Sequence, residues 1–120
     1  MHIASFSGNI GDNASHIGFY NILSSIIDYD IAQIEMRKFY QNYNKADKLS
    51  FNKEFIEYIN SFDICFIGGG FLDYHIKDSK TGTTIDIDLS LIKNIKTPTY
   101  FTSLGSNPHK EVPKENIEKI

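Results

Sequence analysis

The chain has 120 residues, 41% hydrophobic and 22% charged, enough apolar material for one domain or one piece of a larger protein. Its 12 basic and 15 acidic side chains give a net charge of -3 and form no basic stripe, which argues against a nucleic-acid partner. Cys65 is the only cysteine, so a disulfide framework and a cysteine-rich metal site are excluded and a reducing cytoplasm is the expected setting.

The opening MHIASFSGNIGD carries no basic region and no long apolar run, so it does not read as a signal peptide, and no segment reads as a membrane span. His2 to Phe6 predicts a first strand, ended by Gly8 and Gly11. Asp12, Asn13 and Ser15 are all N-cap types, and Asp12 is expected to cap the helix that follows. Phe19, Tyr20, Leu23, Ile26 and Ile27 fall at helical spacing, and Asp28 and Tyr29 close that helix. Asp30 to Met36 predicts a second strand, followed by a polar loop from Arg37 to Ser50.

Phe51, Phe55, Tyr58, Ile59 and Phe62 form one apolar face of a second helix. Asp63 to Ile67 (DICFI) is too short for a helix and is stopped by three glycines, as a central parallel strand would be. Phe71 to Gly82 reads as a loop. TTIDIDLSLIKNIK is ambiguous: Ile85, Ile87, Leu89 and Leu91 alternate like a strand, while Thr84 as a cap and Asp86 and Asp88 in a first turn favour a helix. The helix is preferred, because a parallel sheet needs a crossover before its next strand, Thr99 to Ser103. VPKENIEKI then starts a helix with Pro113 near its first position, and its shortness predicts that the chain is the front portion of a longer one.

The β-α-β-α-β-α-β pattern predicts a single α/β domain over residues 1–120, a Rossmann-like open parallel sheet with helices on both faces. Ligands bind such sheets at the carboxyl ends of the strands, where the strand order reverses. With strand order 2-1-3-4, the loops SGNIGDN and GGGFLDYH face each other there, joined by LGSNPH. Candidate ligand-binding residues are Gly8, Asn9, Gly11, Asp12, Gly68, Gly69, Gly70, Asp73, Ser103, Gly105 and Asn107. The first loop is neither G-x-G-x-x-G nor a P-loop, so neither nucleotide fingerprint is met. Glu35 stands where a ribose-binding acid could. His2, His16, His75 and His109 make no metal set, and each is first read as a solvated histidine; Cys65 reads as inert core. Arg37 is the only arginine, and the crevice loops hold no Arg or Lys before Lys77 and Lys110. A compact anion needs cationic forks, so the crevice suits a neutral, hydroxyl-rich ligand better than a free phosphate.

Gly8-Asn9-Ile10-Gly11-Asp12, DICFIGGGFLD and TPTYFTSLGSNP, in that order, resemble the polysaccharide pyruvyl transferase family over nearly the whole chain. The resemblance implies a cytoplasmic enzyme of surface-polysaccharide biosynthesis. Such enzymes transfer a pyruvyl group from phosphoenolpyruvate to two hydroxyls of a sugar, giving a cyclic ketal and releasing phosphate. It also implies a two-domain, glycosyltransferase-like architecture of which this chain matches the N-terminal half, with the donor site in the other half and no cofactor. The reaction needs acids and bases near neutral pKa, for which Asp12, Asp73 and His75 are candidates. A nucleotide-sugar glycosyltransferase, a nucleotide-binding oxidoreductase on a similar sheet, and a non-catalytic α/β remnant are the competing readings. An exposed strand edge would allow pairing with a second copy of the chain.

Overall fold

The computed structural model describes residues 1–6, 10–36, 50–71, 83 and 86–104. The elements run β1 (His2–Ala4), α1 (Ile10–Ser24), β2 (Gln33–Glu35), β3 (Ser50–Phe51), α2 (Lys53–Ile59), β4 (Cys65–Ile67), β5 (Asp86–Ile87), α3 (Leu89–Ile92) and β6 (Thr99–Phe101). Four strands form a parallel sheet in the order β2-β1-β4-β6, which is the expected 2-1-3-4 arrangement. The sequence reverses direction between β1 and β4, since β2 lies on one side of β1 and β4 on the other.

Strand alternation decides what each face holds. His2 is in register with Phe66 and Ile3 with Ile67, so His2 and Phe66 share one face and Ile3, Cys65 and Ile67 the other. Phe19 and Tyr20 of α1 lay their rings against His2, and Phe19 also meets Phe66. On the other face Phe55 and Ile59 of α2 join Ile3, Cys65, Ile67, Met36 and Phe71 in the buried cluster. Ile3 and Cys65 are fully buried, as the apolar run around them requires. Cys65 is inert core: burial pushes its thiol up to about 11.

Several sequence expectations shift. Helix α1 begins at Ile10, so Asp12 sits inside its first turn and does not cap it. There its carboxylate still favours the positive end of the helix dipole. The helix stops at Ser24, where Ile26 and Ile27 both bond back to the Leu23 carbonyl in a tight turn. Those two isoleucines are consequently exposed instead of completing the apolar face.

Phe51 lies in β3, outside the helix expected to contain it. The reason is Asn52, whose side-chain oxygen accepts the Phe55 N–H and starts α2 one residue later. Phe62 falls beyond α2 but still packs against the core. The ambiguous TTIDIDLSLIKNIK resolves into both alternatives: a strand at Asp86–Ile87, then a helix capped by Asp88 through Ser90, not by Thr84. Two hydrogen bonds from Ser90 hold the Asp88 carboxyl below its usual range. Strand β5 pairs in parallel with β3 to make a second, two-stranded sheet that the sequence pattern did not suggest. The expected helix over 113–120 lies outside the described residues.

Asn60, which follows α2, sets the approach to β6. Its Oδ1 accepts from the Lys96 and Thr97 N–H groups at 2.7 and 3.3 Å, and its Nδ2 donates to the Asn94 carbonyl at 2.9 Å. The Thr97 hydroxyl donates toward the Ile59 and Phe62 carbonyls. These bonds dock the α3–β6 connection against the C-terminal end of α2, and so fix where the loop after β6 begins.

Candidate functional site at the carboxyl edge of the sheet

Backbone bonds bring the three strand-end loops together. The Gly68 N–H donates to the Ile3 carbonyl at 2.9 Å, the Ser5 N–H to the Gly69 carbonyl at 3.1 Å, and the Thr102 N–H to the Ile67 carbonyl at 2.8 Å. The ladder thus runs on past the last paired residues, and the ends of β1, β4 and β6 are locked side by side. The Phe6 N–H donates to Glu35 Oε2 at 2.8 Å, tying the loop after β1 to the end of β2. Glu35 is thereby engaged in holding the loop that a ribose-binding role would have left to the ligand.

The three glycines after β4 differ in what surrounds them. A methyl group on Gly68 would stand 2.9 Å from His2 Nε2, 3.3 Å from the Ala4 Cβ and 3.4 Å from the Thr102 Oγ1. Gly68 is buried, and its missing side chain is what lets β1 and β4 close over His2. Gly70 has φ of 88°, a left-handed conformation natural to glycine.

Gly69 is the open one. Among the described residues, the nearest atoms to a methyl group placed there are Asp12 Oδ1 at 3.7 Å and the Ser103 carbonyl oxygen at 3.9 Å. One residue from each of three segments therefore meets at a single point: Asp12 from the first turn of α1, Gly69 from the loop after β4, and Ser103 from the loop after β6. Asp12 and Gly69 are half-buried, while Gly11 and Ser103 are exposed, so the point faces the outer edge of the sheet. Ser103 has φ of 52°, a left-handed conformation that costs a non-glycine residue roughly 1 kcal/mol and is typical of strain held at functional sites.

Of the sequence-derived candidates, the structure brings together Asp12, Gly69 and Ser103, with Gly68 and Gly70 flanking Gly69 and Gly11 preceding Asp12 in the chain. Gly8, Asn9, Asp73, His75, Gly105 and Asn107 lie outside the described residues, as does His109. The histidine reading is corrected at His2 and His16, neither of which is solvated. His2 is 1% exposed and His16 9%. Both are covered because α1 lays its Phe19–Tyr20 side over the His2 face of β1. His16 Nε2 lies 2.8 Å from the Ser5 carbonyl and its ring is 4.6 Å from that of Phe6, so it supports the loop from beneath. His2 Nδ1 lies 2.8 Å from the Tyr20 hydroxyl, and burial with His16 nearby lowers its pKa to about 4. Burial likewise raises the Tyr20 phenol. Alternation in HIASF places His2 opposite the Ile3 face, but only the helix packing shows that this face is also closed.

The two atoms converging on Gly69, a carboxylate oxygen and a carbonyl oxygen, are acceptors. The described part of these loops carries no Lys or Arg. Among the described residues, no group of three or more His, Cys, Asp or Glu side chains could hold a metal ion. No described helix is long and apolar enough to cross a membrane. Comparison with protein-family models, with curated proteins and with solved structures yields no significant match.

Proposed function

We propose that this chain supplies the acceptor-side wall of a polysaccharide pyruvyl transferase-like enzyme, binding a neutral sugar at the carboxyl edge of its sheet. The observation that carries the reading is the meeting of Asp12, Gly69 and Ser103. A sugar hydroxyl is a donor, and it fits between a carboxylate oxygen and a carbonyl oxygen; a phosphate does not. Gly69 leaves room for the ligand to approach the backbone. The family-like motifs GNIGD, GGGFLD and TSLGSNP are the segments whose described residues meet here.

In this reading the fold is the Rossmann-like N-terminal half of a two-domain, glycosyltransferase-like architecture working in the cytoplasm. The phosphoenolpyruvate site belongs to the other half, in keeping with the lack of Lys and Arg in the described part of these loops. Pyruvyl transfer protonates the enol carbon, adds two sugar hydroxyls to the carbon that becomes the ketal centre, and expels phosphate. Asp12 is the described residue placed to orient an attacking hydroxyl and take its proton. Asp73 and His75 remain the other candidates for acid–base work. Among the described residues β6 is the outermost strand on its side of the sheet, with Tyr100 and Phe101 each 56% exposed, and this side is where a second copy would pair.

The test is a titration of the ¹⁵N-labelled chain with neutral hexoses and N-acetylhexosamines, phosphoenolpyruvate and NAD in turn. Saccharides shift the Gly11, Asp12, Gly69 and Ser103 amides, and phosphoenolpyruvate leaves them in place. Tight NAD binding at those amides replaces this reading with a nucleotide-binding one. Absence of any response at those amides refutes a binding role for the crevice.

A further inference from the structure

We propose that His2 is the acid-sensitive member of a latch, built together with His16, that ties the loop after β1 to the loop after β4, engaged while the His2 imidazole is neutral and released when it takes up a proton. The inference stands on the fold and does not depend on the transferase reading.

The geometry starts with an orphan nitrogen. His2 Nε2 is buried and has no hydrogen-bond partner. The other ring nitrogen faces the Tyr20 hydroxyl at 2.8 Å, and that hydroxyl also takes the Gln33 amide N–H at 3.0 Å. Either neutral tautomer of His2 can use the Tyr20 hydroxyl, and both leave Nε2 unpaired. A second proton on the ring has no acceptor: Nε2 faces Gly68, at 2.9 Å from where a Cβ would stand.

His16 completes the device. A carbonyl oxygen only accepts, so His16 Nε2 carries the hydrogen and donates it to Ser5. Ser5 is fully buried, and its own N–H goes to the Gly69 carbonyl. His16 therefore holds one side of the very peptide segment that β4 holds from the other. The His2 and His16 ring centroids are 5.1 Å apart, with Phe6 and Phe19 rings within 5.3 Å of His2. A cation on the His2 ring, buried among these aromatic rings, is poorly solvated.

The groups facing the pair come from each packed element. Helix α1 presents Tyr20 besides His16, and the Met1 amine also acts on His2 and disfavours its charged form. Strand β4 presents uncharged Phe66 and Gly68, and the Thr102 hydroxyl lies beside Gly68. Strand β2 contributes neutral Gln33, with the Glu35 carboxylate engaged at the Phe6 N–H. Asp12 lies further out, near Gly69. None of the hydrogen bonds found for His2 or His16 reaches a carboxylate.

The sign follows from the buried pKa of about 4 against an ordinary value near 6.5. The open form binds the proton more tightly, so opening is favoured as pH falls below 6.5 and the effect saturates near 4. Between pH 7.5 and pH 5 this amounts to roughly a 30-fold rise in the open population.

The experiment is amide exchange on the intact chain at pH 7.5 and 5, corrected for intrinsic rates, together with the imidazole ¹³Cε1 titration of His2. Protection at the Ser5 and Gly68 amides falls about 30-fold relative to the Ile56 and Asn60 amides of α2. The His2→Phe variant, which keeps the ring packing, loses that differential. A uniform loss of protection at all four amides overturns the proposal, as does an acid release that persists in His2→Phe and so belongs to another group. If His2→Phe does not fold, the wild-type titration decides. His2 taking its proton near pH 6.5 with Ser5 and Gly68 still protected is fatal to the latch.

Discussion

Gly68→Ala tests how the crevice floor is packed. The added methyl would lie 2.9 Å from His2 Nε2, a distance that real Cβ atoms essentially never show. Relief by rotation is blocked. The His2 ring is held by the Tyr20 hydroxyl at 2.8 Å and walled by Phe6, His16 and Phe19. The Ala4 Cβ at 3.3 Å and Thr102 Oγ1 at 3.4 Å close the remaining directions. Overpacking of this kind costs about 1–3 kcal/mol. In a chain of this size that lowers the thermal midpoint by roughly 5–12 °C, readable by circular dichroism. Gly69→Ala is the internal control: its methyl meets only ordinary contacts at 3.7 and 3.9 Å, so stability stays within ~0.5 kcal/mol of wild type. In a His2→Ala background, the Gly68→Ala penalty shrinks by more than ~0.5 kcal/mol, because the ring that caused the clash is gone. Equal stabilities for Gly68→Ala and Gly69→Ala would refute the assignment of one glycine to tight packing and the other to ordinary contact.

Two further substitutions probe the frame around the site. Gly18 lies within α1 with no atom of the described residues within 4 Å of an added Cβ, so Gly18→Ala should raise stability by up to ~1 kcal/mol through helix propensity, measured by urea unfolding. A destabilised Gly18→Ala would mean that a neighbour fills that space. Asn60→Ala removes the acceptor of the Lys96 and Thr97 N–H groups and should cost about 1–2 kcal/mol, with the Ser103 amide resonance shifting as β6 loosens. An unchanged Ser103 resonance would show that Asn60 does not set the β6 loop.

Legibility in the sequence followed the length of the physical signal. DICFI bounded by GGG gave a buried central strand, because burial on both faces leaves a continuous apolar run. The crossover pattern indicated a parallel sheet, and the order 2-1-3-4 taken with it is the one observed, β2-β1-β4-β6. Boundaries failed where one polar side chain outweighed a periodic pattern. Asn52 cut Phe51 off from α2, and Asp88 displaced Thr84 as the cap of α3. The β3–β5 pairing joins residues far apart in sequence, and such contacts leave no local pattern to read.

At the site, the three glycines after β4 look alike in sequence and differ only in space. Gly68 accommodates His2, Gly69 faces Asp12 and Ser103, and Gly70 supplies a positive φ. The buried histidines were missed for a related reason. Histidine is polar in composition, and its burial depends on Tyr20, Phe6 and Ser5 arriving from other segments.

The central claim is that the Gly69 position is a cradle for a neutral saccharide. The most direct measurement compares saccharide binding by wild type and by Gly69→Leu, whose side chain fills the space beside Asp12 Oδ1 and the Ser103 carbonyl. Amide shifts at Asp12 and Ser103 follow the titration, and thermal unfolding confirms that both proteins are folded. The account predicts saturable shifts in wild type that are lost at least tenfold in Gly69→Leu, with phosphoenolpyruvate producing none in either protein. Saccharide binding unchanged in a folded Gly69→Leu, or tight phosphoenolpyruvate binding at these amides in wild type, would contradict it.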